Sequence, residues 1–261
     1  MYKRFLIFSA ISLFSFSLFA QTMIDSNKVD PDFHIYLLMG QSNMSGRGVV
    51  SGEYATEGDP RVFMLDKNKN WVPAHNPLHF DKTIAGVGPG LAFAIIMAKE
   101  NPKVRIGLVP CAVGGTSIRA WVPGGYDSAT KTHPYDDALV RIKTAMKSGV
   151  VTGMLWHQGE SDSKEETAAL YPTQFKALAE RIRAMTEKPT LPVVAGELGR
   201  YKDQFKFINT ALNNMTSSLP DFAVASSEGL VDKGDNTHFD SPSAEKMGKR
   251  MAEKMIMLQK Q

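Results

Sequence analysis

Five short runs of near-continuous apolar residues, at 34–39, 105–109, 152–156, 192–196 and 222–225, recur along the chain with helical stepping between them. An unbroken apolar strand must be covered on both faces, so each run reads as a strand of a parallel sheet with helices above and below. The apolar positions between the runs step by three and four: Leu91, Ile95, Ala98; Leu139, Ile142, Met146; Tyr171, Phe175, Leu178, Ile182, Met185; Phe205, Ile208, Leu212, Met215, Leu219; and Ala244, Met247, Met251, Met255, Leu258. Each such segment has one face to bury. The alternation predicts an α/β fold around a central parallel sheet of five strands. In the last helix Ser241 is the expected N-cap and Pro242 the first helical residue, and the methionine stripe is core filler.

Nothing in the 261 residues divides them: there is no repeat, low-complexity tract or linker, and 43% hydrophobic with 22% charged residues suits a folded chain. A single domain over 21–261 follows. Residues 1–20, MYKRFLIFSAISLFSFSLFA, have the basic start, apolar stretch and small terminal residue of a secretory signal peptide. The apolar part, 5–20, falls short of the roughly twenty residues of a spanning helix, so cleavage and no stable membrane insertion are expected, with an uncleaved anchor as the alternative. The mature protein is thus read as secreted or periplasmic. Cys111 stands alone, so no intrachain disulfide forms. The formal charge of +3 falls by two to +1 without Lys3 and Arg4, which argues against nucleic-acid binding.

Two long stretches, 46–90 and 120–135, are rich in Gly, Pro, Asn and Asp and read as loops that line a site. In an open parallel sheet ligands bind beyond the carboxyl ends of the strands. Those ends carry Gly40-Gln41-Ser42-Asn43-Met44, Pro110 to Ser117 with its Gly114-Gly115 pair, His157-Gln158-Gly159-Glu160-Ser161-Asp162, and Asp235-Asn236-Thr237-His238. Ser42, at a strand-to-helix junction, is placed to present its hydroxyl; its structural alternative is a helix cap. With Met at 44 the pattern is not the G-x-S-x-G elbow. A neutral imidazole takes a serine proton only when its other nitrogen is held, and Asp235 lies three residues from His238. The alternative there is a surface Asx-turn with a solvated histidine. The Ser42 N–H, the N–H groups of Gly114-Gly115 and the Gln158 amide are candidate oxyanion donors, against plain turn and loop hydrogen bonds.

Taken together, Gly-Gln-Ser-Asn-Met at 40–44, Gly88-Pro89-Gly90, Gly-Gly-Thr-Ser-Ile at 114–118 with Trp121, Trp-His-Gln-Gly-Glu at 156–160 and Asp235-x-x-His238 resemble the SGNH hydrolase superfamily. Within it the resemblance is to carbohydrate esterase family 6 and sialate O-acetylesterase-like proteins. It implies a three-layer α/β/α, flavodoxin-like fold and a Ser-His-Asp esterase that removes acetyl groups from a polysaccharide such as acetylated xylan, without metal or organic cofactor. Carried over, Ser42 is nucleophile, His238 base and then acid, and Asp235 its orienter. Ser42 N–H, Gly115 N–H and Gln158 form the oxyanion hole. Glu160 is expected to support the site structurally, with substrate binding or substitution for Asp235 as alternatives. His157 is expected to be a buried hydrogen-bonding residue. Arg119 and Trp121 are candidate sugar-subsite residues, with ordinary packing as the alternative for the tryptophan.

Three other readings compete. A metal site at His75 and His79 with Asp59, Asp66 and Asp81 is spoiled by Pro77 between the histidines. Gly86-Val87-Gly88-Pro89-Gly90 is not a dinucleotide fingerprint. A non-catalytic carbohydrate-binding protein has no need of intact Ser42, Asp235, His238 and Gln158 together. Within esterases the alternative is a sialate O-acetylesterase, whose anionic substrate would favour a cationic pocket; Arg47, Arg119 and Lys131 are the candidates.

Overall fold

The computed structural model describes residues 28–56 and 58–261, so the expected signal peptide at 1–20 lies outside the described residues. In β1 (Asp30–Gly40) the side chains of Phe33, Ile35, Leu37 and Met39 join one apolar cluster and those of Tyr36 and Leu38 join another. That period of two, apolar on both sides, is what places the strand at the centre of a doubly covered sheet. The other strands are β2 (Val62–Leu65), β3 (Trp71–Pro73), β4 (Arg105–Pro110), β5 (Gly149–His157), β6 (Val193–Gly196) and β7 (Phe222–Ala225). They form one seven-stranded sheet in the order β3-β2-β4-β1-β5-β6-β7. Every pairing is parallel except β2 with β3.

The α/β class and the three layers are as expected; the strand number is not. The five expected strands are all present, and β2 and β3 add a short antiparallel edge inside the stretch read as a loop. The principal helices are α1 (Ser42–Ser45), α2 (Gly90–Glu100), α3 (Pro134–Ala145), α4 (Glu165–Ala168), α5 (Tyr171–Met185), α6 (Phe205–Met215) and α7 (Ser241–Gln259). Helices α3, α5 and α6 cover the face of Phe33 and Leu37, while α2 and α7 cover that of Tyr36 and Leu38. Met247, Met251 and Met255 of α7 are fully buried there. The cap of α7 is Asp240, one residue before the expected Ser241: its carboxylate accepts the N–H of Ser243 at 2.8 Å. Ser241 instead donates its hydroxyl to Val49 O at 2.7 Å, tying the helix to the serine loop.

Register sets where the loops emerge. Leu38 of β1 lies opposite Pro110 of β4, and Gly40 lies opposite His157 of β5, so three strands end level and their following loops meet. Gly40 has a φ of +131°, and a Cβ there would sit 2.2 Å from the His157 carbonyl oxygen. Only glycine lets the chain turn that closely over β5. Among the described residues no helix is long and apolar enough to cross a membrane.

Candidate active site

At that level sheet edge Ser42, in the first turn after β1, meets His238 from the loop between β7 and α7. The Ser42 Oγ to His238 Nε2 distance is 2.9 Å, and His238 Nδ1 lies 2.7 Å from Asp235 Oδ2. The other carboxylate oxygen of Asp235 accepts the N–H groups of His238 and Thr237 at 2.8 and 3.0 Å. Burial alone would raise the Asp235 carboxyl, but these donors outweigh it and hold the group at about 2. Burial lowers the His238 imidazole, and the adjoining carboxylate opposes the shift without cancelling it. The imidazole is therefore neutral near pH 7, with one nitrogen facing a hydroxyl and the other facing an anion. Such a relay can take the serine proton and return it.

The relay opens on a cavity of about 350 Å³, lined among others by Gln41, Gly115, Glu160, Lys82, Lys202 and Ile84. A larger open depression of about 810 Å³ lies at the other end of the strands, around His34, Thr152 and Lys188, and none of the relay residues lines it. On the cavity wall the N–H of Ser42 and the N–H of Gly115 have no protein acceptor among the described residues. Gly115 has a φ of +95°, a conformation that a side chain would strain. The N–H of Gly114 is engaged by Asp81 Oδ2 at 2.8 Å.

Gln158 departs from expectation. It is fully buried, and its Nε2 donates to Asp162 Oδ2 at 2.6 Å, Thr116 O at 3.1 Å and Gln41 Oε1 at 3.2 Å. All three partners are oxygens, which fixes the amide's orientation and leaves no hydrogen for an oxyanion. The residue that sequence reasoning missed is Gln41. Its Oε1 is pinned by Gln158 and by the Ser161 N–H at 3.3 Å, so its Nε2, without a protein acceptor among the described residues, opens on the cavity. Gln158 thus orients the donor and Gln41 presents it.

A family model described as carbohydrate esterase, sialic acid-specific acetylesterase, matches residues 32–257. The chain belongs to this family of carbohydrate esterases. A probable carbohydrate esterase of Arabidopsis thaliana is 30% identical over 246 residues, covering 85% of this chain and 90% of that protein. The X-ray structure of the same Arabidopsis protein superposes with a TM-score of 0.77 at 28% identity, covering 87% of this chain and 99% of the other. A carbohydrate acetylesterase from Xanthomonas citri shares the fold at a TM-score of 0.65 and 21% identity, over 84% of this chain and 55% of its own. The structure of NanS shares it at 0.70 and 18%, over 89% and 99%. The protein is accordingly a carboxylic ester hydrolase of the carbohydrate acetylesterase type, on an SGNH-like hydrolase fold.

The remaining residues of this esterase sort by contact. Trp121 is fully buried, donates its indole N–H to Thr116 Oγ1 at 3.1 Å and meets Trp156 edge-on at 5.2 Å. A ring sealed in the core stacks on no sugar, so the subsite reading of Trp121 is corrected. Arg119 is exposed, turns back to Ser117 Oγ at 3.3 Å and does not line the cavity. His157 is buried as expected, its Nε2 3.0 Å from the Glu197 carbonyl and its imidazole lowered by burial to about 4. Of the cations named for an anionic substrate, Arg47 is neutralised in a buried ion pair with Asp81 at 2.8 Å, and Lys131 is exposed and off the cavity. Lys82 and Lys202 on the rim were not anticipated. His79 is buried 3.5 Å from the Leu38 carbonyl, and no group of three or more His, Cys, Asp or Glu among the described residues is arranged to hold a metal ion.

Proposed function

We propose that the protein removes O-acetyl groups from a carbohydrate by a two-step acyl transfer through Ser42. The observation that carries this reading is the Ser42–His238–Asp235 chain of hydrogen bonds, 2.9 and 2.7 Å, opening on a cavity lined by unpaired N–H donors. Ser42 Oγ attacks the acetyl carbonyl while its proton passes to His238 Nε2, and Asp235 holds the imidazolium that forms. The developing oxyanion lies among the N–H of Ser42, the N–H of Gly115 and the Gln41 amide, each donor worth about a hundred- to thousandfold in rate. Collapse expels the sugar hydroxyl with the proton from His238. Water then attacks the acetyl-serine, gives its proton to His238, and acetate leaves as the serine is reprotonated.

For the substrate, an O-acetylated polysaccharide such as xylan is the first reading, and an O-acetylated sialic acid is the second. The second is favoured by Lys82 and Lys202 on the cavity rim, since neither is paired with a carboxylate among the described residues. The segment 1–20 supports export to the periplasm or beyond. Acetate release by the purified protein from acetylated xylan and from an O-acetylated sialic acid, each beside Ser42→Ala, tests both readings. Serine-dependent release from xylan alone supports the polysaccharide, and release from the sialic acid alone supports the anionic sugar. Binding of either without release would overturn the catalytic reading in favour of a carbohydrate-binding protein on the same fold.

A further inference from the structure

Asn43 follows Ser42 directly, and its buried side chain uses both ends of its amide. Oδ1 accepts the N–H of Phe239 at 3.0 Å, while Nδ2 donates to the carbonyl of Thr237 at 2.9 Å and to Glu160 Oε1 at 2.6 Å. Thr237 and Phe239 are the residues on either side of His238. One amide therefore grips both peptide groups that flank the imidazole, from the backbone position next to the serine it must meet. Its orientation is not free: the oxygen faces an N–H and the nitrogen faces two oxygens, so a flip would set like against like at every contact.

We propose that Asn43 is a positioning residue that sets the Ser42–His238 hydrogen bond, and that Glu160 holds Asn43 in the orientation this requires. The inference rests on the serine-esterase reading. Glu160 lines the cavity with its carboxylate turned inward as an acceptor: Oε1 takes the Asn43 N–H, while Oε2 is buried with no hydrogen-bond partner among the described residues. Asp235, by contrast, has donors on both oxygens, as a carboxylate used for its charge requires. Burial pushes the Glu160 carboxyl up to about 7 against the pull of the Asn43 bond. Protonated or ionised, its Oε1 still accepts. The Tyr201 hydroxyl donates to the same Thr237 carbonyl at 3.0 Å, so losing Asn43 loosens the histidine loop without releasing it.

The test compares Asn43→Ala, Glu160→Ala, Glu160→Gln and the double alanine variant by turnover of p-nitrophenyl acetate and by the rate at which a fluorophosphonate labels Ser42. Asn43→Ala is expected to lower kcat and labelling by about 10- to 100-fold with KM nearly unchanged, as a small misplacement of reacting groups does. Glu160→Ala is expected to lose about tenfold, Glu160→Gln to recover most of that loss, and the double variant to fall no further than Asn43→Ala. Wild-type rates in Asn43→Ala, additive losses in the double variant, or a Glu160→Gln as impaired as Glu160→Ala would each overturn the proposal. Should Asn43→Ala fail to fold, the comparison of Glu160→Ala with Glu160→Gln still decides it. A wild-type protein that neither hydrolyses the ester nor takes the label would instead overturn the serine-esterase reading, so the two failures are distinguishable.

Discussion

Replacing the two glutamines of the site separates presenting an oxyanion donor from supporting one. Gln41→Ala removes the amide that opens on the cavity and leaves Gln158 Nε2 with two of its acceptors, Asp162 and Thr116. The expected loss is about 100- to 1,000-fold in kcat, roughly 2.7–4 kcal/mol of transition-state stabilisation, with KM nearly unchanged. Little stability is at stake, because only the Ser161 N–H at the cavity edge is left without a direct protein partner. Gln158→Ala works the other way. It deletes, in a fully buried position, a charge-assisted bond to Asp162 at 2.6 Å and a neutral one shared between Thr116 O and Gln41 Oε1. The charge-assisted bond contributes about 1.5–3 kcal/mol and the neutral one about 1, so a loss of about 2.5–4 kcal/mol is expected. For a chain of this size that lowers Tm by about 5–15 °C. Steady-state kinetics with p-nitrophenyl acetate and a thermal melt of each variant read both quantities. A Gln158→Ala that melts like wild type but loses kcat about a hundredfold, beside an unimpaired Gln41→Ala, would refute this division and restore Gln158 as the direct donor.

The acid limb of kcat/KM is expected below 6.5, because the proposed acyl transfer needs neutral His238 and burial lowers its pKa. Activity is then full above that midpoint and lost as the pH falls through it. Asp235→Asn, which removes the partner opposing the shift, moves the midpoint lower still and cuts kcat by about 10⁴; a wild-type midpoint near 7 would implicate another group. Asp81→Ala strands the buried Arg47 and frees Ser45 and the Gly114 N–H, for an expected loss of about 3–5 kcal/mol. Its Tm should drop by about 6–20 °C, and a drop under 2 °C would contradict the bridging role. Trp121→Ala is expected to cost about 3–5 kcal/mol in denaturant unfolding. In the fraction that folds, KM for glycan should stay put, and a several-fold rise would return Trp121 to the sugar subsite.

The parallel strands were legible because their sequence is apolar on both faces over 34–39, 105–109 and 152–156, a pattern that few other environments explain. The edge was not. β2 has only Val62 to Leu65 between Arg61 and Asp66, and β3 is a half-buried triplet ending in Pro73. Short edge strands with proline carry almost no periodic signal. The α7 cap illustrates a different limit: Asp240 and Ser241 are both good caps, and the choice is made by Val49, which takes the serine hydroxyl. The site residues Ser42, Asp235 and His238 stand out because strand ends converge there. Which glutamine faces the cavity does not, since Gln41 and Gln158 both follow strand ends and only the Asp162 carboxylate decides which amide is held inward.

Asp81, Asp162 and Asn43 are each bonded across loops that come from different strands, and their contacts explain why separated blocks act as one site. Asp81 binds Ser45 and Arg47 of the serine loop and the Gly114 N–H of the glycine loop. Asp162 binds Ser117 Oγ at 2.5 Å and the Ile118 N–H at 2.8 Å, beside its bond to Gln158. Asn43 joins the serine loop to Glu160 and to the histidine loop. A polar group buried without a partner costs about 1–3 kcal/mol, so moving any one loop would break bonds that water cannot replace. The donors and the relay are held in place before a substrate arrives, as electrostatic stabilisation of a transition state requires. Discrimination between acetylated sugars therefore has to come from the exposed rim, where Lys82, Ile84 and Lys202 stand. Exchanging rim residues should change the substrate while the core of buried bridges, and with it the esterase chemistry, stays as it is.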